Sequence, residues 1–414
     1  MASFATPSAF LASVELNEQR FMSLLEKLIG EAEFLQNSPP QGMIPKEDLA
    51  SDHVLKVLAP YMTTNGGVLE VERINFVDGR GNVIIKYPGT TDKICSFVGS
   101  HLDVVPANPL SWERNPFVLT VEGDMLYGRG TTDCLGHVAL LTDLLCTLAE
   151  NRPALKTSIV VVFIVNEENS SFVGLGVDQL AKEGYLDGLK GGPLFWIDAA
   201  DSQPCIGTAG NLQWKMKVTG KLFHSGLPHK GINSIEMAMD AISYIQKRFF
   251  EDFKRLPQED EYNFATQSTL KATQISCAPG SINQLPPDCT VEGDVRVAPF
   301  YDVADVRRVV DSYVAEINSN PAVIENPTHR GPHSKYTLPD ESKKGAVEFT
   351  WLADGENGIA CNLNSVGYHA ILEATRSVLG DVKPYSIGGS LPLIRELQEQ
   401  GFDMQISGYG ISSK

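Results

Sequence analysis

"ICSFVGSHLD", residues 94–103, is an apolar run that closes on a histidine and an aspartate two positions apart. The pattern recurs twice: "TSIVVVFIVNEE" (157–168) closes on Glu167 and Glu168, and "PLFWIDAAD" (193–201) closes on Asp198 and Asp201. Runs that are apolar throughout, with no alternation, belong to strands covered on both faces. A helical stretch such as "DCLGHVALLTDLLCTLAE" (133–150) lies between the first two, so the order predicts a mainly parallel α/β sheet. Ligands of such sheets gather beyond the carboxyl ends of the strands, where these polar residues fall.

Upstream, residues 20–36 and 49–61 carry helical periodicity. "VLEVERINF" (68–76) and "GNVIIKYPG" (81–89) read as strands joined through Asp78 and Gly79. Downstream, a second unit begins near residue 211 with the strand "LQWKMKVTG" (212–220). A helix over 233–255 follows, with Ile235, Ala238, Met239, Ile242, Ile245 and Phe249 at 3–4 spacing. Strands at 268–278 and 288–298, a helix at 303–317 and a strand at 346–353 complete the order βαββαβ, that of a ferredoxin-like unit. The polar stretch 326–345 reads as a surface loop, and helical segments past 357 return the chain to the first domain. The expected division is therefore 1–209 and 357–414 for the main domain, with 210–356 inserted.

The 414 residues are 43% hydrophobic, and 34 basic residues against 51 acidic ones give a formal net charge of −17. With no basic cluster interleaved with aromatics, nucleic acid is excluded as a partner; the acidity suits a cationic substrate or divalent metals. No stretch reaches the ~20 apolar residues of a membrane span. Seven cysteines, odd in number and without a CxxC pair, point to a reducing compartment. The N-terminal segment has no arginine before Arg20 and carries Glu15 and Glu18, which predicts a cytoplasmic protein, with plastid import as the alternative.

His101 and Asp103, at i and i+2 of a strand, project together, and a metal-binding imidazole commonly needs a carboxylate to orient it. Alone the pair reads as a hydrogen-bonded strand end. Asp133, in "YGRGTTDCLG" (127–136), could be a ligand or the N-cap of the following helix. Glu167 and Glu168 cannot both face the same way, so one could bind metal while the other acts as a base, unless both are simply solvated. Asp198 or Asp201 would complete the group. Nitrogen and carboxylate donors without cysteine fit zinc, cobalt or manganese in an open catalytic site. A bridging carboxylate would admit two metals ~3.5–4 Å apart, and the chemistry predicted is metal-assisted hydrolysis with a glutamate as proton shuttle.

At this point the motifs "SHLDVVP", "GRGTTDCLG", "NEEN", "HSGLPHKGINSI", "NQLPPDCTVEGDVR" and "GGS" resemble one metal-dependent family. It comprises the aminoacylases, carboxypeptidase G, the succinyl-diaminopimelate desuccinylases and the acetylornithine deacetylases, with the plant-type acetylornithine deacetylases the most similar branch. The resemblance implies a metallohydrolase catalytic domain with an inserted dimerisation domain, a homodimer, and up to two Zn2+ or Co2+ ions per chain. It implies His101, Asp133 and Asp198 as ligands of one ion, with Asp133 bridging to a second ion held by Glu168. Asp103 would orient His101, and Glu167 would be the general base. His224 would reach across the dimer to the scissile carbonyl, while Asn283, Arg296 and the backbone of Gly389 and Ser390 would take the substrate carboxylate. Without the resemblance, His224 reads as a loop histidine, Arg296 as the partner of neighbouring acids and the glycines as a turn; His229 and His369 read as structural. Relatives often carry Glu where Asp198 stands, and the shorter arm alters the reach to metal.

The implied activity is hydrolysis of N2-acetyl-L-ornithine to ornithine and acetate in arginine synthesis, the alternatives being another N-acyl amino acid or dipeptide hydrolase, or an inactive dimerising chain. The sequence closes on "ISGYGISSK" (406–414), with no histidine after His369, whereas relatives continue to a last strand, a histidine ligand and a final helix. The resemblance therefore implies a weakened second metal site and weak or no activity.

Overall fold

Val160, Val161, Val162 and Phe163 leave no polar face, and all four are buried in the strand Ser158–Phe163. The computed structural model describes residues 7–169, 172–198, 201–338, 342–391 and 393–410. In it, Ser158–Phe163 pairs antiparallel with Arg80–Tyr87 on one side and parallel with Ile94–Val98 on the other. The parallel run continues from Ile94–Val98 to Pro193–Ile197 and on to Asp403–Ser407. Glu70–Val77 pairs antiparallel with Arg80–Tyr87 through a turn at Gly79, where φ is 79°. Because Ser158–Phe163, Ile94–Val98 and Pro193–Ile197 run the same way side by side, their carboxyl ends share one edge. The sheet thus sets His101 between the residues that follow its two neighbours.

Helices Glu18–Glu31, Asp48–Leu58 and Leu135–Asn151 contribute Leu24, Leu25, Leu28, Val54, Leu58, Val138 and Leu145 to the core of this unit. Asn17 caps the first of them by accepting the Arg20 N–H. The periodic stretch that begins there ends sooner than its pattern suggests, because the backbone tightens into a 3-10 turn at Ala32–Phe34.

The second unit is built from Gly210–Thr219, Ser234–Asp252, Thr269–Cys277, Asp288–Val297, Val303–Ser319 and Ala346–Trp351. Its sheet runs Thr269–Cys277, Asp288–Val297, Gly210–Thr219, Ala346–Trp351, every pair antiparallel. In order of appearance that is 2-3-1-4, the arrangement of a split βαββαβ unit. Leu212, Trp214, Met216 and Val218 alternate inward from the first strand onto Ile245, Phe249, Val306 and Val310 of the two helices.

The chain divides into residues 1–206, 361–384 and 392–414 on one hand and 207–360 with 385–391 on the other. The sequence boundary at 357 leaves 385–391 on the wrong side. The Ala209 N–H is in hydrogen-bonding geometry with both Ile387 O (3.1 Å) and Gly389 O (2.9 Å), which fastens that short segment to the second unit. The stretch 326–345 is also more than a surface loop. Tyr336 is buried in the core of the second unit and its hydroxyl donates to Asp240, which also pairs with Arg330. A single aromatic ring outweighs the polarity around it, and a polarity count does not register one buried side chain. No helix among the described residues is long and apolar enough to cross a membrane, and all seven cysteines are free thiols.

One buried ion pair anchors the first unit. Arg80 grips Glu47 with both arms of its fork, Nε to Oε2 at 2.8 Å and Nη2 to Oε1 at 2.5 Å. Burial pushes the Glu47 carboxyl up to about 7 against the pull of Arg80. Glu47→Ala leaves the guanidinium buried and unpaired, and should cost about 3–5 kcal/mol. Denaturant unfolding should show this as a lower midpoint at unchanged slope.

Candidate metal centre

The central strand ends at Gly99, where φ is 95° and a Cβ would stand 2.5 Å from the Trp196 indole. Only glycine lets the backbone turn there without displacing the ring. Beyond it the segment stays tied to both neighbours: Ser100 Oγ donates to Ile197 O at 3.0 Å, and Leu102 N–H donates to Ile164 O at 3.0 Å. His101 is thereby held at the level of the strand ends rather than on a loose loop.

Its imidazole has one orientation. Nδ1 lies 2.8 Å from the backbone carbonyl of Asp103, an acceptor only, so Nδ1 carries the proton and Nε2 faces the other way. Nε2 stands 2.9 Å from Asp133 Oδ1, 3.7 Å from Asp198 Oδ1 and 3.7 Å from Glu167 Oε2. Asp133 reaches this point from the turn before the helix Leu135–Asn151, and the peptide that follows it is cis. The residue at the helix N-cap is Cys134, which makes no side-chain cap, so Asp133 serves the imidazole and does not cap the helix. Asp198 is steered by Trp196, whose Nε1–H donates to Oδ2 at 3.4 Å, while Asp201 is exposed.

The electrostatics are those of a cluster short of positive charge. Burial and the Asp198 carboxylate, opposed by His101, hold Glu167 well above the usual carboxylate range. Burial pushes Glu168 up to about 8, and it also raises Asp198. Burial alone would raise Asp133 as well, but its hydrogen bond with His101 brings it below the ordinary value. For His101, burial is outweighed by Cys134 and by the carboxylates of Asp103, Asp133 and Asp198, which hold the imidazole well above its usual range. Several carboxylates crowded on one imidazole in a low-dielectric setting are what a divalent cation relieves. His101, Asp133 and Asp198 bring one nitrogen and two oxygens to within 4.8 Å of one another, so the donor set fits such an ion.

Some sequence expectations meet a different geometry. The carboxylate of Asp103 is 3.5 Å from His101 Nδ1, and its closer partners are elsewhere. Oδ1 accepts the Glu167 N–H at 3.1 Å; Oδ2 accepts the Glu168 N–H at 3.1 Å and the Asn37 amide at 2.7 Å. The main chain of Asp103 orients the imidazole, and its side chain fastens the strand end that bears the two glutamates. The i, i+2 spacing brings the two residues together, and the tertiary contacts divide the work between carbonyl and carboxylate. Glu168 stands outside the convergent group, its Oε1 accepting the Val105 N–H at 3.1 Å. Cys134, which the sequence argument set aside, has its sulfur inside the group. Burial pushes this thiol up to about 12, and the sulfur already accepts the His101 N–H at 2.9 Å. Asn37 carries no metal or catalytic signature in sequence and surfaces only through these contacts.

The remaining candidates lie in the second unit. His224 is exposed, its Nδ1 accepting the Gly226 N–H at 3.0 Å, on a two-residue strand paired with Gln284–Leu285. Asn283 precedes that strand, and its carbonyl accepts the Ser225 N–H at 2.9 Å. Arg296 is opposite Asn211 in the sheet register and pairs with Asp294 through Nε at 2.8 Å, the neighbour pairing considered from sequence. The Asn211 amide donates to Ser390 Oγ at 2.8 Å, and Gly389 O accepts the Ala209 N–H, so Arg296, Asn211 and the 389–390 turn share one end of the sheet.

Residues 97–398 match the model of peptidase family M20/M25/M40. The chain is 54% identical to the acetylornithine deacetylase of Arabidopsis thaliana, over 98% of this chain and 92% of that protein. It is 50% identical to the acetylornithine deacetylase of Dictyostelium discoideum, over 97% and 92% of the two chains. A Staphylococcus aureus tripeptidase superposes with a TM-score of 0.63 at 19% identity, covering 95% of this chain and 90% of the other. A dinuclear metal-binding M20 peptidase of Bacillus subtilis superposes with a TM-score of 0.55 at 16% identity, covering 96% and 91%.

Asp103→Ala removes the acceptor that fastens the main chain of Glu167 and Glu168. Affinity for a divalent ion should fall about 10–100-fold, measured by competition with a chromogenic chelator.

Proposed function

We propose, from the premise that the chain belongs to peptidase family M20/M25/M40, that it is a metal-dependent deacetylase cleaving N2-acetyl-L-ornithine to L-ornithine and acetate. The observation that carries the metallohydrolase reading is the meeting of His101 Nε2 with the carboxylates of Asp133 and Asp198, with Glu167 3.7 Å from the same nitrogen. Identity of 54% over 98% of the chain to a protein of that name supports the substrate.

In this reading His101, Asp133 and Asp198 would hold a divalent ion, zinc or cobalt, and Glu168 would have to give up its bond from the Val105 N–H to join Asp133 on a second. When bound, the ion supplies Lewis acidity at the scissile carbonyl. Glu167, with its affinity for protons raised by burial, takes a proton from the attacking water and passes it to the departing amine. Glu167 is itself buried, which limits the water around it. Arg296 uses Nε for Asp294, which leaves its two terminal nitrogens to fork onto a substrate carboxylate. The free thiols support a cytoplasmic location.

The spacing of groups along one strand supports the reading of a homodimer. His224 and Asn283 lie by the start of Asp288–Val297, and Arg296 lies near its end. Eight residues of strand at about 3.3 Å each put roughly 26 Å between them, too far for one amino-acid substrate to touch both in the same chain. A second copy that lends its own His224 and Asn283 removes the difficulty. The strand Thr269–Cys277 is one of the two edges of its sheet among the described residues, and exposed Ile275 on it, with exposed Met239 beside it, offers an apolar contact surface.

Acetate release from acetylornithine, compared with release from other N-acyl amino acids and with dipeptide cleavage, tests the substrate. Glu167→Gln should lower kcat by about 10²–10⁴ while bound metal, counted by elemental analysis, stays unchanged. Full turnover by that variant would remove Glu167 from the chemistry. For the shared site, His224→Ala and Arg296→Ala should each be nearly inactive alone. Mixing the two under subunit exchange should restore part of the activity, because each mixed dimer contains one site with both residues.

A further inference from the structure

The base needs a fixed position, and the residues that supply it reach well outside the catalytic motifs. We propose that Asn37 is a positioning residue for Glu167 and Glu168, acting through Asp103 and Asn166. This rests on the reading of Glu167 as the base.

Asn37 is buried, and its side-chain Nδ2 donates twice: to Asp103 Oδ2 at 2.7 Å and to Asn166 Oδ1 at 3.1 Å. Those acceptors belong to the two residues that grip the glutamates. Asp103 takes the N–H groups of Glu167 and Glu168, while Asn166 is the residue directly before Glu167 and holds a left-handed backbone with φ at 62°. Asn tolerates that conformation better than most residues but still needs support to keep it. The support comes through its side chain: Nδ2 donates to Phe172 O at 2.5 Å, and Oδ1 accepts from Asn37 and from Arg80 Nη2 at 3.2 Å. Arg80 is itself locked by Glu47. A continuous buried chain therefore runs from the ion pair through Asn166 and Asn37 to Asp103 and the catalytic strand ends.

Two further observations single out Asn37 within that chain. Its Oδ1 is buried with no hydrogen-bond partner among the described residues, so the amide is oriented for its two donors at the expense of its acceptor. Its backbone is docked as well: Asn37 N–H donates to Val104 O at 2.9 Å and Val104 N–H donates to Leu35 O at 3.0 Å, while Gln36 Oε1 accepts the Ala107 N–H at 2.7 Å. Residues 35–37 thus form a short brace against the segment that carries His101 and Asp103. A carboxylate at position 37 would face Asp103 across a hydrogen-bond distance, so the two acceptors require a donor there and exclude an anion.

The test compares Asn37→Leu, near in size but without donors, with Asn37→Ser, which keeps one shorter donor. Each is measured for kcat and KM on acetylornithine, for Co2+ affinity by chelator competition, and for thermal unfolding. Asn37→Leu is expected to lower kcat about 10–100-fold, as a base displaced by a fraction of an ångström does, with KM within about twofold of the parent. Co2+ affinity should drop about tenfold, and Asn37→Ser should recover part of both losses. If Asn37→Leu does not fold, Asn37→Ser alone should show the intermediate kcat and affinity. Parental kcat and Co2+ affinity in a folded variant overturn the proposal, as does a loss of activity that matches the loss of folded protein at the assay temperature. If the parent releases no acetate from acetylornithine, the substrate reading fails, and Co2+ affinity still decides the role of Asn37.

Discussion

A fully buried carboxylate, that of Asp103, ties the end of one sheet strand to the end of the next. Burying an anion is tolerated only when hydrogen bonds replace its water, and Asp103 has donors from the Glu167 and Glu168 main chain and from Asn37. Burial alone would raise its pKa; His101 and these donors bring it below the usual value, so it stays charged. The same constraint acts in both directions. The main chain is held because the anion must be satisfied, and the anion is satisfied because parallel pairing brings that main chain to it.

The cluster around His101 is organised for chemistry at the expense of local comfort. Carboxylates that raise one another's pKa, a left-handed Asn166 and a glycine pressed on an indole are each unfavourable alone. They persist because the Glu47–Arg80 pair and the helices behind the sheet fix the surroundings. A divalent cation would offset the excess negative charge, and the single orientation of the His101 ring, set by a backbone carbonyl, turns Nε2 toward the carboxylates of Asp133 and Asp198. In the second unit His224 lies by the start of the strand Asp288–Val297 and Arg296 near its end, so the length of that strand keeps the two apart.

Much of the fold was legible because it depends on local periodicity. The continuous apolar runs at 94–98, 158–163 and 193–197 are strands of the central sheet, and the βαββαβ order followed from alternation in strands and 3–4 spacing in helices. The errors fell where one contact overrides composition. Residues 385–391 join the second unit through hydrogen bonds to Ala209, and the polar stretch near 336 is anchored by a single buried tyrosine.

The site divides along the same line. Sequence alone determined which residue types stand at the strand ends, His101, Glu167, Glu168 and Asp198, because position after an apolar run is a local property. Tertiary structure decided what each does there. It turned Asp133 from a possible helix cap into a partner of His101, put Glu168 on the Val105 N–H, and made the Asp103 carboxylate a clasp for the neighbouring strand. It also brought in Asn37, 66 residues from its partner Asp103. Hydrogen bonds between residues so far apart in the chain have no periodic signature. Their existence depends on which strands lie side by side, and packing of the whole sheet settles that.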